Sequence, residues 1–392
     1  MIGFDVAAAT AHYLQTIDPV REARAVAYTQ GSHWLTLWGW LVKILVDMAI
    51  LRSALLVRLR DGVQRAKPRP NLTAFMCVGA FVLTAWLLQL PWTIYAGWAR
   101  ERSYGLASQA LAGWVVQEFV ATVFTSLFLG VAAIPVYSLM RRTGRRWWAW
   151  SGLVAALFSF LAIAVAPAVL TPLFNESRPI PEGRIRVAVE DLARVAGIPS
   201  ERIVVTDGSR QSNRYTATVV GGPGFAMIQL SDTMLLGEVD VAQVRAVVAH
   251  EIGHYVHGHL VILSAVFAML ATAGLWLVQS TLGSVGLAVR RRTPLVQDPS
   301  AFPAVHMIFV TYLVLVSPVI LSVQRWVEND ADRYGLDLAH EPDGAARSLV
   351  RTVDFRASSP SKLEETLFYD HPSIAHRVRR AMEWKAEHGS GN

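Results

Sequence analysis

The sequence predicts a mainly α-helical membrane bundle of several spans, with an α+β insert and a helical C-terminal tail. Three observations point there. Apolar residues gather into separate blocks of bilayer length, charged residues make up only 17% of the chain, and one long polar stretch interrupts the blocks. A soluble protein carries about 25% charge. The 53% hydrophobic content, the mean hydropathy of +0.35 and 13 tryptophans agree with bilayer spans and their interfaces.

A helix needs about 20 mostly apolar residues to cross about 30 Å of hydrocarbon. Six segments qualify, at 34–56, 72–96, 111–139, 148–171, 260–287 and 305–324. The third and fifth are long enough to tilt. Pro91, Pro135, Pro167 and Pro318 fall in or near spans, where neighbouring helices satisfy freed carbonyls. Residues 1–33 form a polar N-terminal segment with Asp5, Asp18, Arg21, Glu22 and Arg24, without the apolar core of a cleavable signal. The first span is therefore expected to act as an uncleaved anchor.

Four spans over 34–171 precede an insert at 172–259, two spans fill 260–324, and residues 325–392 form a charged helical tail. The insert opens with a loop from Asn175 to Gly183. An amphipathic helix follows over 184–196, with Ile185, Val189, Leu192 and Val195 on one face. Strands are expected at 202–206, 217–220 and 225–230, separated by Gly221, Gly222, Pro223 and Gly224. A helix then starts near Glu238 and runs into the fifth span.

Net charge is +6. The basic residues sit beside apolar blocks rather than along one face, which argues against a nucleic-acid partner and for a lipid bilayer. The lone Cys77 excludes an intrachain disulfide and makes a thiolate metal site improbable.

His250-Glu251-Ile252-Gly253-His254 matches H-E-x-x-H. Two imidazoles four residues apart share a helix face and can bind one Zn²⁺, with Glu251 within reach of the attacking water as general base. Zinc needs a third protein ligand. A metzincin extension wants Gly at 257 and His at 260, where the chain has His257 and Leu260. Glu328-Asn329-Asp330-Ala331-Asp332 supplies an alternative, with Glu328 as ligand. Asp332, one turn on, is placed to accept a proton from a ligand histidine and fix its tautomer. His257 and His259 read as interfacial histidines on an exposed helix.

The order of spans, H-E-x-x-H, further spans and E-x-x-A-D resembles the membrane metalloproteases of the type I CaaX prenyl endopeptidase family, which includes the bacterial heat-shock membrane protease. Leu90-Pro91-Trp92, Pro172-Leu173-Phe174, Pro181-Glu182-Gly183, Ser212-Asn213-Arg214-Tyr215 and Asp370-His371-Pro372 with Arg377 carry the same resemblance. It implies a zincin-like catalytic insert and a zinc metalloendopeptidase of the gluzincin type, acting on peptide or protein substrates. It further implies that Asn213 holds substrate backbone, that His371 stabilises the oxyanion and that Arg377 belongs to the same site. The chain departs from the family where Arg214 stands for the usual alanine, and in lacking a further span before residue 34. Nothing in it encodes prenyl recognition.

Two other readings fit less well. An intramembrane site-2-type protease needs a metal aspartate in a later span, but Asp343-Gly344 lies in the polar tail. A non-catalytic channel or scaffold with a vestigial zinc site is separated from a protease by metal content and inhibition by a chelator. Lys43 and Asp47 in the first span, and Gln117 and Glu118 in the third, suggest ion pairing or a hydrated chamber. Loops 57–71, 140–147 and 288–304 hold twelve Lys/Arg against four on the opposite side. That count favours a catalytic side facing away from the cytoplasm, whereas the family resemblance implies a cytosolic one.

Overall fold

A computed structural model of the chain describes residues 4–222, 224–288 and 296–389. Acidic caps and prolines set where its helices begin. Asp5 caps α1 (Val6–Gln15), accepting from Ala7 N–H at 2.9 Å. Asp18 caps α2 (Pro19–Ser53), whose first residue is the proline. The polar start is thus helical, and the helix that carries the first apolar segment begins well before residue 34, at Pro19. Ala54 in a left-handed conformation ends it, and α3 (Leu55–Gln64) follows.

α4 (Pro70–Thr93) contains Pro91 and loosens into a π-helical stretch, Ile94–Ala99, before α5 (Arg100–Ser103). A proline inside a helix removes one N–H from the i→i−4 ladder. α6 (Leu111–Thr143) and α7 (Trp147–Phe174) meet at Gly144, φ 56°, and pack on each other.

The insert holds β1 (Ser177–Pro179), α8 (Arg184–Val195), β2 (Ile203–Thr206), β3 (Ala217–Val220) and β4 (Met227–Ser231). The sheet order is β1-β2-β4-β3, with β2 and β4 parallel and the outer pairs antiparallel. β1 falls in the segment expected to be loop. It is only three residues long and carries no apolar alternation, so pairing with β2 defines it. Val189 and Leu192 of α8 are buried, but Val195 at its end is 66% exposed.

α9 (Val241–Val256) does not run straight into the next span. It stops before Gly258, φ 63°, and α10 (His259–Ala288) starts afresh. α11 (Phe302–Ala339) extends the last span far past residue 324 as one helix. α12 (Pro342–Arg351), α13 (Lys362–Phe368) and α14 (Ile374–His388) complete the described chain.

Five helical stretches among the described residues are long and apolar enough to cross a membrane: Pro19–Ser53, Pro70–Ser103, Leu111–Ala164, His259–Leu282 and Pro299–Ala339. The third takes in two of the six expected segments, because only a short turn at Gly144 parts α6 from α7. Asp47, fully buried in α2, finds its partner across the bundle at His306 Nδ1 of α11, 2.7 Å away. Long-range pairing therefore answers the intramembrane charge.

Polar contacts sort the connections to two ends. Arg141 donates to Asn71 (2.8 Å), Gln297 to the Met140 carbonyl (3.1 Å), and Arg60 pairs with Asp298 at one end. Arg290, Arg291 and Arg292, counted in the charge asymmetry, lie outside the described residues. At the other end Arg24 donates to the Ser103 carbonyl (2.8 Å), and Asn213 N–H to Leu106 (3.0 Å). There α1 and α14 pack together, so both ends of the described chain lie with the insert.

Candidate active site

Asp240 caps α9 by accepting from Ala242 N–H at 3.0 Å, and its other oxygen takes Arg347 Nε at 2.7 Å. Val244, Val248, Ala249 and Ile252 bury one face of α9 against α8 and the sheet. The motif side chains are thereby turned toward α11. Two glycines let these helices touch backbone to backbone. A Cβ on Gly335 would stand 2.9 Å from His250 N, and one on Gly253 would stand 3.2 Å from Ala331 Cα. This approach brings Glu328 over the two histidines.

His250 Nε2 and His254 Nε2 are 3.2 Å apart. Glu328 Oε2 lies 3.2 Å from His250 Nε2, and its Oε1 lies 3.5 Å from His254 Nε2. A tetrahedral zinc with bonds of about 2.0–2.1 Å separates its ligand atoms by about 3.3 Å. The three spacings fit such an ion. Two facing imidazole nitrogens and a buried carboxylate otherwise repel or go unpaired, so the donor set suits a divalent cation.

Electrostatics agree. Burial pulls His254 down to about 4, with the charge on His250 adding to the fall. Against the same burial, Asp332 and Glu328 draw His250 up to about 10. Burial pushes the Glu251 carboxyl up to about 7, against the positive charges of His250 and Arg377 and with Glu328 adding to the rise. A carboxyl poised there suits a general base working near neutrality.

Asp332 Oδ1 lies 3.0 Å from His250 Nδ1, the contact expected from the sequence. Arg377 clamps the same carboxylate, Nε to Oδ2 at 2.9 Å and Nη2 to Oδ1 at 2.6 Å. Arg377 Nη2 is also 3.9 Å from Glu328 Oε2. His371 sets Nε2 at 3.2 Å from Glu328 Oε2, while its Nδ1 faces Asp370 at 2.8 Å. Arg356 reaches Asp370 at 3.1 Å. Burial opposes ionisation of Asp370, but His371 and Arg356 outweigh it and hold the carboxyl well below the usual range.

His250, Glu251, Asp332, His371 and Arg377 all line one cleft of about 720 Å³, walled by α2, α11, α12 and the β3 strand. Asn213 does not line it. Its Nδ2 donates to the Gly105 carbonyl at 2.9 Å, and the residue borders a neighbouring cavity of about 300 Å³. Arg214 and Tyr215 are the members of that quartet that line the cleft, Arg214 being paired with Glu101 at 2.8 Å.

Sequence reasoning missed Asp370, although it adjoins His371 in the quoted motif. It also missed Arg356, which no motif marks, and misread His259. That residue is not exposed: it is 1% accessible and lies beside His254, while His257 is exposed.

The long apolar helices and this donor set together define a membrane metallopeptidase. The chain belongs to peptidase family M48, whose family model matches residues 179–385. A second family model, the CAAX prenyl protease N-terminal region with five membrane helices, matches residues 8–176. Among relatives, the uncharacterized metalloprotease YhfN of Bacillus subtilis is 24% identical over 371 residues, covering 93% of this chain and 86% of that protein. A CAAX prenyl protease 1 homolog of Arabidopsis thaliana is 24% identical over 383 residues, covering 90% and 85%. The crystal structure of S. mikatae Ste24p superposes with a TM-score of 0.73 at 18% identity, over 94% of this chain and 89% of that one. The fold is thus shared. The chain is an integral membrane metalloprotease that hydrolyses peptide bonds.

Proposed function

We propose that the chain is a zinc metalloendopeptidase of the bacterial plasma membrane, cutting membrane-associated proteins or peptides in quality control or peptide processing. The observation that carries this is the convergence of His250, His254 and Glu328 at ligand spacing, with His250 and Glu251 lining one large cleft. One zinc held by those three residues would polarise a scissile carbonyl and acidify water.

The chain's own groups account for the rest. Glu251 takes the proton of the attacking water and passes it to the leaving amine. His371, with Nδ1 facing Asp370 and Nε2 turned toward the Glu328 carboxylate, stands where its ring can stabilise charge growing on the carbonyl oxygen. Asp332, itself held by Arg377, stands 3.0 Å from His250 Nδ1, and a carboxylate there favours the tautomer that turns Nε2 toward the metal. β3 is the outer strand of the described sheet, and Ala217 borders the cleft, so an extended substrate can add along this edge. Asn213, bonded to Gly105, supports that edge from outside the cleft rather than touching the scissile bond. The names of several relatives extend the reading to prenylated C-terminal peptides as candidate substrates.

The test is cleavage of a peptide library by the purified full chain in detergent, with prenylated and plain members. Zinc-dependent cleavage that a chelator stops and Glu328→Ala lacks is the expected result. Cleavage unaffected by both would overturn the assignment.

A further inference from the structure

His250 has a carboxylate directly behind it; His254 does not. Its Nδ1 instead meets His259 Nδ1 at 2.9 Å, and His259 Nε2 meets Asp330 Oδ2 at 3.1 Å. His259 is almost fully buried. Resting on the zinc reading above, we infer that His259 and Asp330 form a two-residue relay that orients His254 and strengthens its hold on the metal.

Proton bookkeeping supports the direction. When His254 Nε2 gives its lone pair to a metal, the neutral ring carries its proton on Nδ1. That N–H donates to His259 Nδ1, which must then be the bare nitrogen. The His259 proton consequently sits on Nε2 and donates to the Asp330 carboxylate. Each imidazole along the path has one donor and one acceptor in the right order, and the carboxylate accepts at the end. The path ends on a negative charge, as the His250–Asp332 contact does.

His257, His259 and Asp330 also meet the loose geometry of a second metal site. The same bookkeeping disfavours it. A metal on His259 Nε2 forces the proton to His259 Nδ1, where it would face the Nδ1–H of His254 at 2.9 Å. His257 Nδ1 instead approaches Asp330 Oδ2 from the solvent side.

The fold explains why two residues are needed. On α11 successive side chains turn by about 100°, so Asp330 points about 200° from Glu328 and cannot reach His254 itself. In an unbroken helix His259 would lie about 140° from His254. Gly258, φ 63°, breaks α9 from α10 and folds His259 back against His254. His259 then bridges the gap between the metal ligand and the carboxylate.

The test measures zinc content and zinc affinity of the purified full chain by chelator competition, together with the visible spectrum of the Co²⁺-substituted protein. His259→Leu keeps bulk but loses both hydrogen bonds, and is expected to bind zinc about 10–100-fold more weakly. Its Co²⁺ spectrum should shift, and excess zinc should restore its turnover with KM unchanged. His259→Gln retains an acceptor and a donor and should recover most of the affinity. Adding Asp330→Ala to His259→Leu should cost nothing further. Wild-type affinity in His259→Leu, or additive losses in the double variant, would overturn the relay while leaving the zinc reading intact. Two zinc ions per chain with one lost in His257→Ala would replace the relay by a second metal site. A wild-type chain that binds no zinc would remove the underlying reading itself.

Discussion

Arg377 grips Asp332 with two hydrogen bonds, 2.9 and 2.6 Å, while the same carboxylate stands 3.0 Å from His250 Nδ1. One aspartate of α11 thus joins α14 to the H-E-x-x-H helix α9. Asp332→Asn weakens the acceptor for His250 and loosens the clamp. Zinc affinity should fall about 10–100-fold. Arg377→Lys replaces the planar fork by a point charge and should cost affinity too. Equilibrium competition with a chelator reads both, and unchanged affinity in both would break the link.

Glu251 lines the cleft but is not among the three converging donors. Glu251→Gln keeps the shape and removes the base. Metal content should stay at one ion per chain while kcat drops by about 10²–10⁴-fold. Metal analysis with peptide cleavage on one preparation separates the two effects; loss of the ion would make Glu251 a ligand instead.

The pH dependence follows from the same residue. Burial holds the Glu251 carboxyl up to about 7, and a bound dication would draw it lower. Only the carboxylate accepts a proton, so kcat/KM should rise with pH along an acidic limb whose midpoint is at or below 7. Glu251→Gln should lose that limb in its residual rate. A limb that persists there belongs to another group.

The closeness of α9 and α11 depends on Gly335. A Cβ there would stand 2.9 Å from His250 N and 3.0 Å from its Cα, both backbone atoms. Gly335→Ala must therefore push the helices apart, at roughly 1–3 kcal/mol for overpacking. Glu328 would retreat from the histidines, so zinc retention should fall even at temperatures where helix content by circular dichroism is unchanged. Full zinc retention would show that the helices have room.

The three donors of the candidate metal site were legible because each motif lies on one helix, where spacing alone fixes which side chains share a face. His250, His254 and the Glu328–Asp332 pair needed no tertiary knowledge beyond the assumption that two helices meet. His259 was not legible. Five residues after His254 it belongs to the wrong face of any continuous helix, and only the break at Gly258 turns it inward. For Asn213 the motif could not show the tertiary partner: its Nδ2 donates to the Gly105 carbonyl of a distant loop.

Composition and apolar block length by themselves determined a membrane bundle, and local periodicity determined α8, β2 to β4 and the metal-binding faces. The tertiary structure alone decided how the third and fourth apolar segments meet at Gly144, that α11 carries its span unbroken to Glu328, and that Asp47 pairs with His306. It alone set Asp370 and Arg356 behind His371. The physical reason is range. Helical and strand periodicities are properties of neighbours along the chain, whereas a carboxylate buried against an imidazole from another helix is fixed only when the backbones between them have packed.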